Sequence, residues 1–158
     1  MNKYSHFQSP LGQLTIQANE QGVLGVWLPV YTTQPEDLGE KDESFPILVE
    51  AKVQLGEYFA SERTEFSLPL APQGTDFQQK VWHALCNIPY GESWSYQELA
   101  ESIGKPTASR AVGTANGRNP ISIIVPCHRV IGKNGQLTGY AGGLEAKKTL
   151  LKLEGVIA

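Results

Sequence analysis

The stretch Ser95-Tyr96-Gln97-Glu98-Leu99-Ala100-Glu101-Ser102-Ile103-Gly104-Lys105-Pro106-Thr107-Ala108-Ser109-Arg110-Ala111-Val112-Gly113-Thr114-Ala115-Asn116 decides the fold. Ser95 stands where a helix N-cap belongs, and Glu98 completes a capping box, so the spacing predicts a helix over 96–103. Gly104-Lys105-Pro106 closes it, since glycine ends helices and proline cannot continue them. Thr107 is the expected cap of a second helix over 108–116, ending near Gly117. Two short helices across a glycine turn form a helix-turn-helix. In the second, Ala108, Ser109, Ala111, Gly113, Thr114 and Ala115 are small and Arg110 is the one large side chain. Such a face can approach another surface closely, either inside the core or in a nucleic-acid groove with Arg110 as a probe.

Downstream, Val125-Pro126-Cys127-His128-Arg129-Val130 puts a thiol beside an imidazole and a guanidinium. A free thiol with a pKa of about 8.5 is mostly protonated at neutral pH, and cationic neighbours can lower it into the nucleophilic range. A small buried hydrophobe is the commoner fate of a free cysteine, and the tetrapeptide alone leaves both readings open. Asn119-Pro120 starts a turn, and the apolar run over 121–125 reads as a strand or buried segment leading to the cysteine. Gly132-Lys133-Asn134-Gly135 is a polar loop. A last helix over 145–153 is expected to bury Leu150 and Leu151 and to expose Lys147, Lys148 and Lys152.

Upstream, Thr75 can cap a helix over 76–87 that ends before Ile88-Pro89-Tyr90-Gly91. The segment Ser67-Leu68-Pro69-Leu70-Ala71-Pro72-Gln73-Gly74 reads as a linker, because its prolines and glycine interrupt any regular element. Ahead of it lie two strands, near 14–18 and 23–28, around the turn Asn19-Glu20-Gln21-Gly22. An acidic loop over 32–44 and a helix over 47–60 follow, the latter marked by Leu48, Leu55, Tyr58 and Phe59. The expected architecture is α+β in two subdomains. Residues 1–70 form a small antiparallel β-sheet with a helix, and residues 71–158 a helical domain with the helix-turn-helix.

At 158 residues the chain can bury a real core. The net charge of −3 hides an asymmetry. Residues 1–75 carry four Lys/Arg against ten Asp/Glu, whereas residues 76–158 carry nine against six, so the Cys-His-Arg run lies in the basic half. Cys86 and Cys127 are far apart, with no CxxC pattern and no histidine at metal-like spacing. Neither a disulfide framework nor a metal site is expected. No signal peptide or membrane span is read, and a reducing cytoplasm fits two free thiols. Cys86 is read as structural.

With these residues assembled, the chain resembles the O6-alkylguanine-DNA alkyltransferases. The resemblance rests on Gly91 with Ser95-Tyr96, Arg110-Ala111-Val112-Gly113, Asn119-Pro120, Pro126-Cys127-His128-Arg129-Val130, Tyr140 with Gly142-Gly143, and Glu154-Gly155. It covers residues 77–155; the first half is similar only in size and coarse pattern.

The resemblance implies a direct-reversal repair protein. It would flip O6-alkylguanine, and also O4-alkylthymine, out of duplex DNA and transfer the alkyl group irreversibly to Cys127, once per molecule. By the same resemblance, His128 is the general base through a water, Glu154 orients it, and Tyr96 donates toward guanine N3. Thr107, Ala108, Ser109, Arg110 and Gly113 would contact DNA. Tyr96, Asn119, Val130, Tyr140, Ala141 and Gly142 would line the base pocket, and Arg129 would tie loops together at the interface of the two domains. No cofactor is implied, and the partner is double-stranded DNA met by a cytoplasmic monomer, with no membrane. Gly142 and Ser122 are expected to leave room for alkyl groups larger than methyl. Two rivals are a lesion-binding module of the same fold, which carries tryptophan at the cysteine position, and a Cys-His hydrolase with no DNA partner.

Overall fold

The computed structural model describes residues 1–29, 33–137, 140 and 142–158. The first domain is a sheet in the order β3-β2-β1-β4. Strands β1 (Lys3–Ser9), β2 (Gly12–Asn19) and β3 (Gly22–Trp27) form an antiparallel meander, and the two-residue β4 (Glu40–Lys41) adds to β1 in parallel. The sheet is therefore mixed at one edge rather than wholly antiparallel. The expected hairpin is β2–β3, its register shifting at Gln17/Ala18. Helix α1 (Pro46–Phe59) starts with proline in its first turn, where a missing N–H costs nothing, and buries Leu48, Ala51, Leu55 and Tyr58. Leu14, Ile16 and Ala18 of β2 and Val23 and Val26 of β3 complete this core.

The second domain opens with α2 (Asp76–Leu85), where Thr75 accepts from the Gln78 amide and Gln78 returns the bond to the Thr75 amide. Strand β5 (Trp94–Ser95) leads into α3 (Tyr96–Ser102), capped by Ser95 and Glu98 through the same reciprocal pair. Gly104 follows in the left-handed region at φ 73°, and α4 (Ser109–Gly117) completes the helix-turn-helix. Thr107 does not cap α4. The N-cap is Ala108, which has no side chain to do so, and the turn is held by the Ala108 amide on the Lys105 carbonyl and by Gln97 on the Pro106 carbonyl. Strand β6 (Val130–Ile131) pairs with β5 in parallel, and α5 (Leu144–Leu153) closes the chain.

The expected linker is not a free tether. Val23 of β3 donates to the Pro69 carbonyl and accepts from the Ala71 amide, each at 2.8 Å. Further along the same strand, Val26 donates to Pro120 at 2.9 Å and accepts from Ser122 at 3.1 Å. The outer edge of β3 is thus covered by two segments, one of them the stretch that leads to Cys127. An open edge is a pairing hazard, and here it is used to fasten the second domain to the first.

Of the two readings of the run 121–125, strand or buried segment, the second holds, as a buried turn. Ile124 bonds back to Ser122 and Val125 to Ile121, and Ile123 is held at φ 72°. A β-branched residue there costs on the order of 1–3 kcal/mol and persists only where the surroundings over-determine it. Ile123 is 1 % exposed, between segments pinned on both sides.

Candidate active site

Cys127, His128 and Arg129 form one 3₁₀ turn between Pro126 and Val130. Asn119 places it. Its carboxamide oxygen accepts from the Ile121 amide at 3.0 Å, and its nitrogen donates to the Ile121 and Val125 carbonyls at 3.3 and 3.0 Å. From α4, Asn116 reaches the Cys127 carbonyl at 3.5 Å. The cysteine turn therefore hangs on α4 at one end and on the first domain's sheet edge at the other.

Within the turn, Cys127 stands apart from the two side chains that follow it. The Cys127 thiol is 2 % exposed. Burial pushes its pKa up, against hydrogen bonding with Asn119, the charge of Lys147, its own amide and Ser122. The expectation that His128 and Arg129 depress the thiol pKa gives way to a different arrangement, because both side chains are committed to Glu154. His128 Nε2 lies 2.7 Å from Glu154 Oε2, and Arg129 grips the same carboxylate with Nε on Oε1 at 2.7 Å and Nη2 on Oε2 at 3.0 Å. Arg129 Nη1 also donates to the Ile88 carbonyl at 2.7 Å, and its guanidinium lies 5.7 Å from the centre of the Tyr90 ring. Arg129 thus ties three loops together.

Burial alone would raise Glu154, but the hydrogen bonds from His128 and Arg129 outweigh it and hold the carboxyl at about 2. Burial lowers the pKa of His128, against the opposing pull of Glu154. The stable arrangement is therefore a carboxylate whose counter-charge is Arg129, beside a neutral imidazole. An ionised carboxylate only accepts, so Nε2 carries the imidazole proton and Nδ1 is left basic. Nδ1 is buried with no hydrogen-bond partner among the described residues.

Lys147 is fully buried, not exposed as expected, and its ammonium donates to the Val130 carbonyl at 2.6 Å. Burial brings its pKa down to about 8, and the neighbouring Cys127 opposes the shift. A signal was available: Lys147 shares the stripe of Leu150, Leu151 and Glu154 at the three- and four-residue spacing of a buried helix face. Assigning lysines to the surface by type obscured it.

Around the thiol, Tyr140 is buried with its hydroxyl 3.1 Å from that of Ser122. A Cβ on Gly142 would fall 2.9 Å from the Tyr140 ring and 3.0 Å from a methyl of Leu28. Gly142 is therefore a close contact rather than the expected spare space, and Ser122 is engaged as well. Val130 is buried, and Ala141 lies outside the described residues. Tyr96 opens α3 with its ring against α4, where a Cβ on Gly113 would sit 3.4 Å from it.

The small-residue helix packs into the core on one side and is open to solvent on the other. Val112, Ala115 and Asn116 are buried, and the Ala115 carbonyl accepts from the Trp82 indole at 2.8 Å. Thr107, Arg110, Ala111 and Thr114 are exposed, with Ala108 and Gly113 half-buried. The Ser109 hydroxyl donates to Gln97 at 2.8 Å and locks α4 to α3. Among the described residues no cluster of His, Cys, Asp or Glu is placed to hold a metal ion, and no helix is long and apolar enough to cross a membrane.

Fold and site together define a two-domain protein in which a helix-turn-helix is joined, through one asparagine-held turn, to a buried Cys-His-Arg turn resting on a glutamate. Comparison with known proteins makes this specific. Residues 2–72 match the ribonuclease-like domain, and residues 76–156 the DNA binding domain, of 6-O-methylguanine DNA methyltransferase. The chain belongs to this family. It is 52 % identical over 155 residues to a methylated-DNA–protein-cysteine methyltransferase of Methanosarcina acetivorans, covering 96 % of this chain and 97 % of that protein. It is also 52 % identical over 159 residues to the constitutive methylated-DNA–protein-cysteine methyltransferase of Bacillus subtilis, covering 98 % and 96 %. The crystal structure of the Mycobacterium tuberculosis O6-methylguanine methyltransferase superposes with a TM-score of 0.89 at 48 % identity, covering 100 % of this chain and 95 % of that one. The structure of the M. tuberculosis protein in complex with DNA gives 0.88 at 49 %, covering 97 % and 92 %. Relatives match across the first half too, where the residues alone showed only a coarse pattern.

Proposed function

We propose that the protein repairs O6-alkylguanine in duplex DNA, and by the same chemistry O4-alkylthymine, by moving the alkyl group onto Cys127 once per molecule. The observation that carries this reading is the buried Cys127 in a turn whose next two residues, His128 and Arg129, are both held on the Glu154 carboxylate. The family and the names of the relatives support the same activity. The exposed side of α4 enters the minor groove with Thr107, Ala108, Ser109 and Gly113 at its approach. Arg110 fills the gap when the base is turned out, a step that costs a few kcal/mol and must be compensated. A base turned out of the stack reaches a wall formed by Tyr96, Asn119, Val130, Tyr140, Ala141 and Gly142.

At the thiol, His128 Nδ1 takes the proton through a water, and Lys147 stabilises the thiolate that forms. The sulfur attacks the alkyl carbon, the carbon–O6 bond breaks, and Tyr96 donates a proton toward N3 so that the base leaves neutral. Because burial raises the thiol pKa, the thiolate forms when base and proton acceptor are in place rather than standing ready in the resting protein. A thioether has no partner in the site to reverse it, which makes the protein a reagent; its expected setting is the cytoplasm, as a monomer. Glu154 orients His128.

Intact-mass spectrometry of the wild type and Cys127→Ser, after incubation with a duplex bearing one O6-methylguanine, tests the reading. A stoichiometric gain of about 14 Da in the wild type alone, as methyl replaces the thiol hydrogen, is expected. No gain with the duplex still bound would establish a lesion-binding protein instead.

A further inference from the structure

Tyr58 belongs to α1 of the first domain, 96 residues from Glu154, yet its hydroxyl donates to Glu154 Oε2 at 2.6 Å. This is the shortest of four contacts to that carboxylate; the others are His128 at 2.7 Å and Arg129 at 2.7 and 3.0 Å. Three of the four fall on Oε2, and Oε1 takes Arg129 Nε. The neighbouring Tyr90 shows what a tyrosine serving only to join segments does here: its hydroxyl rests on the Leu153 carbonyl at 3.3 Å. Tyr58 instead occupies the oxygen that holds His128. Its ring is fully buried and fixed by Phe59, Phe66 and Tyr90, with ring centres at 5.3, 5.5 and 6.3 Å.

Each donor on an oxygen draws off negative charge and weakens the hold of that oxygen on any other proton it shares. We propose that Tyr58 is a positioning residue of the transfer reaction: its hydroxyl on Glu154 Oε2 fixes the carboxylate and limits how firmly it retains a proton on His128, which makes the first domain part of the active site. The inference rests on His128 being the proton acceptor. The charged and titratable groups around the imidazole are Glu154 and Lys147 from the C-terminal segment and Arg129 from its own turn, with Tyr58 and Tyr90 facing Glu154. Burial and the adjacent Glu154 push the Tyr58 pKa far up, so it stays a donor throughout the working range.

The test is the pH dependence of the second-order rate of methyl transfer from an O6-methylguanine duplex to the full chain. Tyr58→Phe keeps the ring and removes the donor, so Glu154 pulls harder on the His128 proton. The acidic limb should then move up by about half to one pH unit, making transfer about three- to tenfold slower at pH values below the wild-type limb and unchanged within about twofold near pH 8.5. A merely structural role lowers the active fraction equally at every pH, so an unmoved limb overturns the proposal. Should Tyr58→Phe fail to fold, 3-fluorotyrosine at position 58 is a stronger donor of nearly the same shape and should move the limb down; a limb that stays put overturns the proposal equally. His128→Asn separates the two levels of the argument. If it transfers at the wild-type rate with the wild-type limb, the assignment of His128 falls and the inference with it. If it abolishes the limb while Tyr58→Phe leaves the limb in place, only the role of Tyr58 falls.

Discussion

The outer side of α4 and the surroundings of Glu154 are built on opposite principles. On α4, the proposed DNA contact rests on what is missing. Small side chains leave room for approach, Arg110 is exposed, and the supports are short-range: Ser95 with Glu98, and Ser109 with Gln97. Glu154 takes three contacts on Oε2 and one on Oε1, and its partners come from residue 58 in the first domain and residues 128 and 129 in the second. Recognition of a varied duplex needs a surface that can meet many sequences. Proton transfer needs one geometry, held by buried partners that fix the imidazole.

The sharpest way to break this contrast is Glu154→Ala. It leaves the Arg129 charge without its counter-charge and the Tyr58 hydroxyl without its acceptor in a closed interior, so we expect a loss of about 3–5 kcal/mol in urea unfolding together with loss of transfer. A small loss would mean that the cluster relaxes like a surface. Acid titration probes the same group. Glu154 is held at about 2 in the folded chain against 4.5 ordinarily. Its contribution is therefore complete above the unfolded value and lost as the pH falls from about 4.5 toward 2, on the order of 3 kcal/mol in all. Glu154→Gln should flatten that part of the stability profile; an unchanged slope would assign acid unfolding to other carboxyls.

On the α4 side, Arg110→Ala should change stability by less than about 0.5 kcal/mol. It should slow transfer from duplex DNA about tenfold or more, without a matching loss on a free O6-alkylguanine base. Equal losses on both substrates would place Arg110 in the chemistry instead. The smallest effect sharpens the local logic of the helix-turn-helix: Ser95→Ala should cost about 1 kcal/mol as a lost cap, and Thr107→Ala close to nothing, since Thr107 caps no helix here. A comparable loss at Thr107 would show that the turn depends on it.

The helix-turn-helix was legible in the chain because capping boxes and glycine stops act over three or four residues. Ser95 with Glu98 and Gly104 are such cases, and Thr75 with Gln78 is another. Thr107 misled because a residue suited to capping stands one position too early for the helix that forms. The run 121–125 reads as strand or buried segment alike because apolarity records burial without distinguishing a strand from a turn pinned on both sides. Lys147 misled because its charge outweighed its place on the α5 stripe.

By itself, then, the sequence determined the helices with local stops, the β2–β3 hairpin, the small-residue face with its arginine, and the Cys127-His128-Arg129 turn with Asn119 ahead of it. Those features depend on neighbours in the chain. Only the tertiary structure decided that His128 is neutral, that Arg129 balances Glu154, that Lys147 lies inside near the thiol, and that Tyr58 reaches across the domains to the same carboxylate. The protonation states and hydrogen bonds of buried groups are set by whatever the fold packs against them, and no local pattern records partners dozens of residues away.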